Sequence, residues 1–437
     1  MSELLLGILI GAVTTLVLAS GIPIAFGLGA VAISFLVIFE GAGSLEIIAE
    51  TFFAGLDNFT LSSIPMFILM GAVIASSRAA GDLYEAMERW LYKIPAGLIV
   101  SNLGACAVFA ALSGSSPATC AAIGKMGIPE MRRRGYPAGL ASGAIGAGGT
   151  LGILIPPSLT MILYGIQTET SIGRLFLAGV LPGLLLTSLF MCWSIFYCWH
   201  KGYQFASKDR YSWREKFSCL PKTLPFLAIV VAVLYLLYGG VATPSEAAGA
   251  GALLCLLVAA GIYKIWRAAD LWPILRDTTR DSVMILMIIA TSILFSYMLS
   301  RLYVTQSLAL WIAAQQFHPW ILMLWVNLLL LVVGFFLPPA AVILMTTPIL
   351  LPIITSAGFD PIWFAVIMTI NMEIGLITPP VGLNLYVIHG IAPDIRLATI
   401  LWGALPFMLA MVLGIIILCI FPSLATWLPD AVMGVAR

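Results

Sequence analysis

Two pairs of adjacent prolines, each inside an apolar run, limit what this chain can become. Pro156-Pro157 closes Gly149-Thr-Leu-Gly-Ile-Leu-Ile-Pro-Pro-Ser158, and Pro379-Pro380 lies within Ile374-Gly-Leu-Ile-Thr-Pro-Pro-Val-Gly382. A proline has no amide donor and its ring clashes with the preceding helical turn. It also pushes the residue before it out of the helical region. A helix that enters either stretch must therefore break there. The surroundings are strongly apolar: 61% of the residues are hydrophobic and 9% are charged, where soluble domains carry about 25% charged. Apolar runs of about 17 or more residues recur along the whole length, so the chain reads as a polytopic helical membrane protein. In lipid, a break is tolerated only where protein or a water-filled cavity satisfies the freed backbone groups. Matched broken helices in two halves of a chain point to the binding site of a transporter.

Other classes of function find little support. The net charge is +1, which gives no electrostatic case for nucleic acid. Seven scattered cysteines form no Cys-x-x-Cys pair, and the three histidines lie far apart, which disfavours a disulfide framework or a metal site. The phosphate-binding pattern Gly-x-x-x-x-Gly-Lys-Ser/Thr is missing, so energy would come from an ion gradient or a partner. No cofactor is expected. The N-terminus lacks a basic region and a cleavage site, so Leu4–Ala19 reads as a retained first span.

The chain repeats itself. An offset of 221 to 224 residues carries Pro23 onto Pro244, Pro129 onto Pro352, Pro137 onto Pro361, Pro156-Pro157 onto Pro379-Pro380 and Pro182 onto Pro406. Each half is expected to hold five spans, one of them the broken helix, plus one re-entrant hairpin. The first-half spans are Leu4–Ala19, Ile24–Phe39, Phe59–Ser76, the broken helix Pro137–Ile166 and Leu175–Trp199. Those of the second half are Thr223–Tyr238, Pro244–Tyr263, Asp281–Ser300, the broken helix Pro361–Ile391 and Ala398–Phe421. Hairpin tips fall at Ser113-Gly-Ser-Ser-Pro-Ala-Thr119 and at Phe335–Pro339. Arg78–Lys93 and Arg301–His318 read as amphipathic arms. The stretches Glu40–Asp57, with no basic residue, and Lys264–Arg280, with four, read as loops. An odd number of spans per half places these two loops on opposite sides, and their charges agree. The basic connection His200–Lys222 is then cytoplasmic, both termini lie outside, and the first hairpin opens to the cytoplasm.

At each equivalent position a hairpin tip can meet a broken helix near mid-membrane. Unwound carbonyls suit a hard cation such as sodium, and the hydroxyls of Ser113, Ser115, Ser116, Thr150 and Thr378 can join them. The helix N-termini after each break favour an anionic substrate. Packing glycines are the plainer account of isolated positions such as Gly143 and Gly146. Glu373, with Asn371 and Asn384 nearby, is a proton carrier, a cation ligand or a hydrogen-bonded strut, and its counterpart in the first half is Thr150. Glu246 follows Thr243-Pro244-Ser245 and reads as part of a helix cap. Arg132–Arg134 and Lys125 read as a topology signal, with anion attraction as the alternative.

At these residues the chain resembles the large membrane subunit of tripartite ATP-independent periplasmic (TRAP) transporters. The resemblance is carried by Gly21-Ile-Pro-Ile-Ala-Phe26, Ser113–Thr119, Gly149–Ser158, Ala242-Thr-Pro-Ser-Glu-Ala247, Pro348-Ile-Leu-Leu-Pro352 and Glu373-Ile-Gly-Leu-Ile-Thr-Pro-Pro-Val-Gly-Leu-Asn-Leu385. It implies a sodium-coupled importer of organic acids in the bacterial inner membrane, working by an elevator motion. It further implies a periplasmic substrate-binding protein and a small membrane subunit of about four spans. The moving unit would be residues 96–168 and 319–392, held by scaffold at 1–95 and 169–318 with a last span and tail at 393–437. By the same analogy sodium ligands fall at Ser113, Ser115, Ser116, Gly149, Gly152 and Leu154, and at Gly334, Leu337, Gly375 and Thr378. The substrate would meet Ser116, Pro157, Ser158, Pro380 and Asn384. Many members of the family carry an acidic or hydroxyl residue at the second tip, where this chain has Phe335-Phe-Leu-Pro-Pro339, so a cation there would rely on backbone oxygens. A stand-alone carrier or cation/proton antiporter that uses Glu373 is the alternative.

Overall fold

The computed structural model describes residues 2–434 apart from 92, 95, 203–210 and 316. Every regular element among them is a helix. Six are long and apolar enough to cross a membrane: Phe59–Ser76, Ile172–His200, Pro244–Tyr263, Ala268–Arg301, Pro339–Ser356 and Leu397–Ile420. Five of these coincide with expected spans, while Pro339–Ser356 is the second arm of the second hairpin. Glu3–Ala19, Ile24–Glu40 and Leu220–Tyr238 are the other unbroken helices at expected spans.

Both broken helices are present. The first runs Ala138–Thr150, passes through a 3-10 turn at Leu151–Ile153, and restarts as Leu159–Thr168. The second runs Pro361–Leu376 and restarts as Leu383–Ile391. The Pro156-Pro157 and Pro379-Pro380 peptide bonds are cis. Each hairpin is a helix pair, Gly97–Ser113 with Ser116–Arg133 and Pro319–Gly334 with Pro339–Ser356.

The elements of the two halves interlock. Helix Leu397–Ile420 crosses the first broken helix where glycines bring the backbones together. A β-carbon on Gly143 would lie 2.1 Å from the Gly403 carbonyl oxygen, and one on Gly403 would lie 1.8 Å from that of Gly139. No side chain fits there, so Gly143 is a packing glycine. Trp363 of the second broken helix is fully buried and donates its indole N–H to the Leu418 carbonyl at 2.9 Å.

Two expected loops are helical instead. Within Glu40–Asp57 lies the helix Leu45–Leu56, in which Ile48 and Phe52 pack inward at helical spacing while Glu46 and Glu50 stay exposed. Lys264–Arg280 is largely the start of the 34-residue helix Ala268–Arg301. Ile274, Thr278, Ser282 and Ile285 form its buried stripe, a period of about 3.6 that the outward charges disguise. A further helix, Ser423–Met433, follows the last span, and Arg174 pairs with its Asp430.

The hydrophilic connection contains the short helix Trp213–Ser218, whereas its Lys208 and Arg210 lie outside the described residues. That helix docks on the arm Ala79–Leu91: Arg89 donates to the Glu215 carbonyl at 2.8 Å and to the Ser218 hydroxyl at 3.0 Å. Ser212 and Glu215 form a capping box, and the Ser212 amide and hydroxyl hold the Glu215 carboxyl below its usual range. Thr243 and Glu246 form a second box. The Glu246 carboxylate accepts from the Thr243 amide at 2.8 Å and the Thr243 hydroxyl accepts from the Glu246 amide at 3.3 Å. The cap expected at Glu246 is therefore present, and such caps contribute about 1 kcal/mol.

Candidate functional site: two junctions between hairpin tips and broken helices

The first tip is tight because Gly114 adopts a left-handed conformation, φ 59°, which only glycine reaches without strain. Ser115 then starts the second arm. Thr119 lies one turn along and folds its hydroxyl back over the tip, 2.8 Å from the Ser113 hydroxyl and donating to the Ser115 carbonyl at 2.8 Å. The broken helix presses on this knot through Gly152. The point where a Gly152 β-carbon would sit lies 2.7 Å from the Ser115 carbonyl oxygen and 2.9 Å from the Thr119 hydroxyl. Two oxygens therefore converge beside a residue that has no side chain. Gly114 in turn faces the Pro157 carbonyl, 2.8 Å from its own missing β-carbon.

The second junction uses the other side of its tip. A β-carbon on Gly375 would lie 2.3 Å from the Gly334 carbonyl oxygen. The Val381 amide donates to the Phe335 carbonyl at 3.3 Å. Thr378 turns its hydroxyl back to the Ile374 carbonyl of its own helix at 2.6 Å. Leu337 packs half-buried against the core, and Pro380 is exposed.

One side chain ties the halves together. Asn384, fully buried on the restarted second helix, donates to the Ser116 hydroxyl at 2.8 Å and to the Gly146 carbonyl at 3.1 Å. Ser116 and Asn384, 268 residues apart, are thus neighbours.

Other candidates are engaged elsewhere. The Leu154 carbonyl lies against Gly179 of helix Ile172–His200, 2.4 Å from the position of a β-carbon there, and Gly149 packs on Cys120. Ser158 caps helix Leu159–Thr168, and its hydroxyl joins Thr160 at the Ile153 carbonyl. Thr150 donates to the Ala147 carbonyl at 2.7 Å. Glu373 is fully buried, and neither carboxylate oxygen has a hydrogen-bond partner among the described residues. Asn371 beside it donates to Asn327 at 2.7 Å. The basic run at the base of the first hairpin is spent on ion pairs: Arg132 with Asp394 at 2.6 Å, and Arg134 with Glu88 at 2.7 Å.

Sequence reasoning passed over Thr119, which its i+4 relation to Ser115 could have revealed. It also passed over a cavity of about 280 Å³ beside the first tip. Ser113, Gly114, Ser115 and Pro157 form one wall; helices Phe59–Ser76 and Ala268–Arg301, through Gly71 and Asp281, form the other.

The comparisons with known proteins agree with this architecture. The family described as "Tripartite ATP-independent periplasmic transporter, DctM component" matches residues 12–424. The chain belongs to this family. It is 38% identical over 387 residues to the C4-dicarboxylate TRAP transporter large permease protein DctM of Pseudomonas aeruginosa, covering 89% of this chain and 90% of that one. It is 33% identical to the isethionate TRAP transporter permease protein DctMQ of Oleidesulfovibrio alaskensis, covering 86% of this chain and 59% of that longer one. Among solved structures, the YdaH transporter of Alcanivorax borkumensis matches with a TM-score of 0.62 at 14% identity, over 91% of this chain and 90% of that one. At that identity the likeness shows a shared fold alone. As a DctM-family permease, the chain is a multi-pass membrane protein of a secondary transporter.

Proposed function

We propose that this chain is the translocating subunit of a sodium-coupled importer of an organic acid in the bacterial inner membrane. The observation that carries the reading is the first junction, where the Ser115 carbonyl and the Thr119 hydroxyl converge beside Gly152. A sodium ion prefers oxygen ligands, and the side-chain-free backbone at Gly152 comes directly against that oxygen pair. The second junction would hold a cation more weakly, through Gly334 and Gly375, because its tip, Phe335–Pro339, offers no hydroxyl beside the Gly334 carbonyl oxygen. Substrate would be met by Ser116, Asn384 and the backbone around Pro157, Ser158 and Pro380, near the helix starts whose dipoles favour an anion.

The two halves are read as an inverted repeat. This rests on the matched breaks and on the contrast between the acidic segment 40–57 and the basic segment 264–280. Residues 96–168 and 319–392 then move as one elevator unit, and the cavity between the first tip and helices Phe59–Ser76 and Ala268–Arg301 marks the sliding surface. A periplasmic binding protein would deliver the acid, and a small four-span subunit would complete the membrane part. The extra length of the isethionate relative leaves room for such a subunit in one chain. The relatives named for C4-dicarboxylates and for isethionate place small organic acids at the head of the substrates to try.

Glu373 favours a second reading, a proton-coupled carrier. An ionised carboxylate buried without a partner costs several kcal/mol, so such a group takes up a proton or a cation. Proteoliposomes holding this chain, the small subunit and the binding protein separate the two. Uptake driven by an inward sodium gradient and lost without the binding protein is expected. A sodium-independent, pH-driven flux abolished by Glu373→Gln would establish the second reading instead.

A further inference from the structure

The cavity at the first tip is lined by fifteen residues, and the one charged side chain among them is Asp281. No lysine, arginine or histidine reaches it. Asp281 sits near the middle of helix Ala268–Arg301, flanked in the cavity wall by Met284, Ile285 and the apolar face of Phe59–Ser76. Its carboxylate takes part in no ion pair or hydrogen bond among the described residues, whereas Asp277 one turn earlier pairs with Arg276 at 3.2 Å. Asp281 is exposed to solvent and has Arg280 beside it in sequence, so its charge is partly screened and acts on an entering group at short range. It repels a second carboxylate and attracts an ammonium or other cationic group. The opposite wall is the tip itself, with Ser113, Gly114 and Ser115 leading into the start of helix Ser116–Arg133. That end of the cavity is the electropositive one. With a volume of about 280 Å³, the cavity suits a small molecule of some ten heavy atoms, at the lower edge of ordinary ligand pockets.

We propose that Asp281 makes this cavity selective for an acid that also carries a cationic group, with the carboxylate at the tip and the cation against Asp281. The inference rests on the importer reading above, seats the substrate on the cavity side of the same tip, against Ser113–Ser115 and Pro157 rather than Ser116 and Asn384, and narrows its class to zwitterions such as amino acids. On this account a plain dianion such as a C4-dicarboxylate, which the named relatives put first to try, binds this permease less well than a zwitterion.

Binding of two probes of equal chain length to the purified full-length chain in nanodiscs, at saturating sodium, tests it. The probes are 4-aminobutyrate, a zwitterion, and succinate, a dianion. The wild type should bind 4-aminobutyrate about two- to fivefold more tightly than succinate, the scale of one exposed ion pair. Asp281→Asn, nearly isosteric at an exposed position, should erase that preference, and Asp281→Glu, which keeps the charge, should retain it. Equal or undetectable binding of both probes by the wild type, a preference for succinate, or an unchanged preference in Asp281→Asn would each overturn the proposal. A loss of the sodium response in Asp281→Asn with ligand preference intact would also overturn it, since the residue would then serve the cation. Sodium dependence of uptake is measured separately, so a sodium-independent wild type that still prefers the zwitterion would sink the importer reading and leave this one standing.

Discussion

The two junctions are built from equivalent segments and reach opposite outcomes. In the first, a tip of small and hydroxyl residues folds Thr119 back over Ser113 and Ser115, and Gly152 meets two oxygens. In the second, the tip is Phe335-Phe-Leu-Pro-Pro339, Gly375 meets the single carbonyl of Gly334, and Thr378 returns its hydroxyl to its own helix. Gly152 approaches the start of the second hairpin arm, whereas Gly375 approaches the end of the first arm. Matched sequence breaks thus guarantee an unwound backbone but not a matched set of ligands. What the tip supplies decides which junction offers oxygens, and the first offers more.

The largest effects should come from adding a β-carbon at the two close contacts. Gly375→Ala places a β-carbon against a backbone oxygen that cannot rotate away, and should destabilise the protein by about 3 kcal/mol or more. Gly152→Ala has slightly more room and a movable hydroxyl as one neighbour, so a loss of about 1–3 kcal/mol is expected. Thermal unfolding of the detergent-purified variants compares them, and a harmless Gly375→Ala would contradict the close approach. Next in size is Asn384→Leu, which removes two buried hydrogen bonds linking the halves and should cost about 2 kcal/mol.

Smaller effects discriminate between the tips. Thr119→Val removes the hydroxyl that knots the first tip and should cost about 1 kcal/mol, while Thr378→Val, which loses a local bond to the Ile374 carbonyl and a weak contact with Met408 Sδ, should cost less. If the order of these two were reversed, the asymmetry would be wrong. Glu373→Gln should be the mildest, neutral or slightly stabilising, since no partner of the carboxylate is lost. A clear drop in unfolding temperature would mean that Glu373 is a strut.

Much of this was legible in the sequence, because chain breaks and caps are local. Proline pairs announce broken helices, and Thr243 to Glu246 announces a cap, from a few residues each. The helices Leu45–Leu56 and Ala268–Arg280 were hidden by charge: outward Glu, Asp and Arg mask an inward stripe that becomes visible only when every fourth residue is followed. Long-range pairing was not legible. Nothing near Ser116 shows that Asn384 will meet it, and nothing near Leu154 shows that its carbonyl will turn to Gly179. Asp281 escaped notice because it stands where a charged run meets an apolar one, and so read as no more than the first residue of a span.

Sodium coupling at the first junction is the central claim, and a cation titration of thermal stability tests it directly. The purified wild-type chain and the Thr378→Val variant should be stabilised by sodium and not by equal concentrations of potassium, while Thr119→Val should lose most of that response. An identical response to sodium and potassium in the wild type, or a full sodium response in Thr119→Val, would contradict the account.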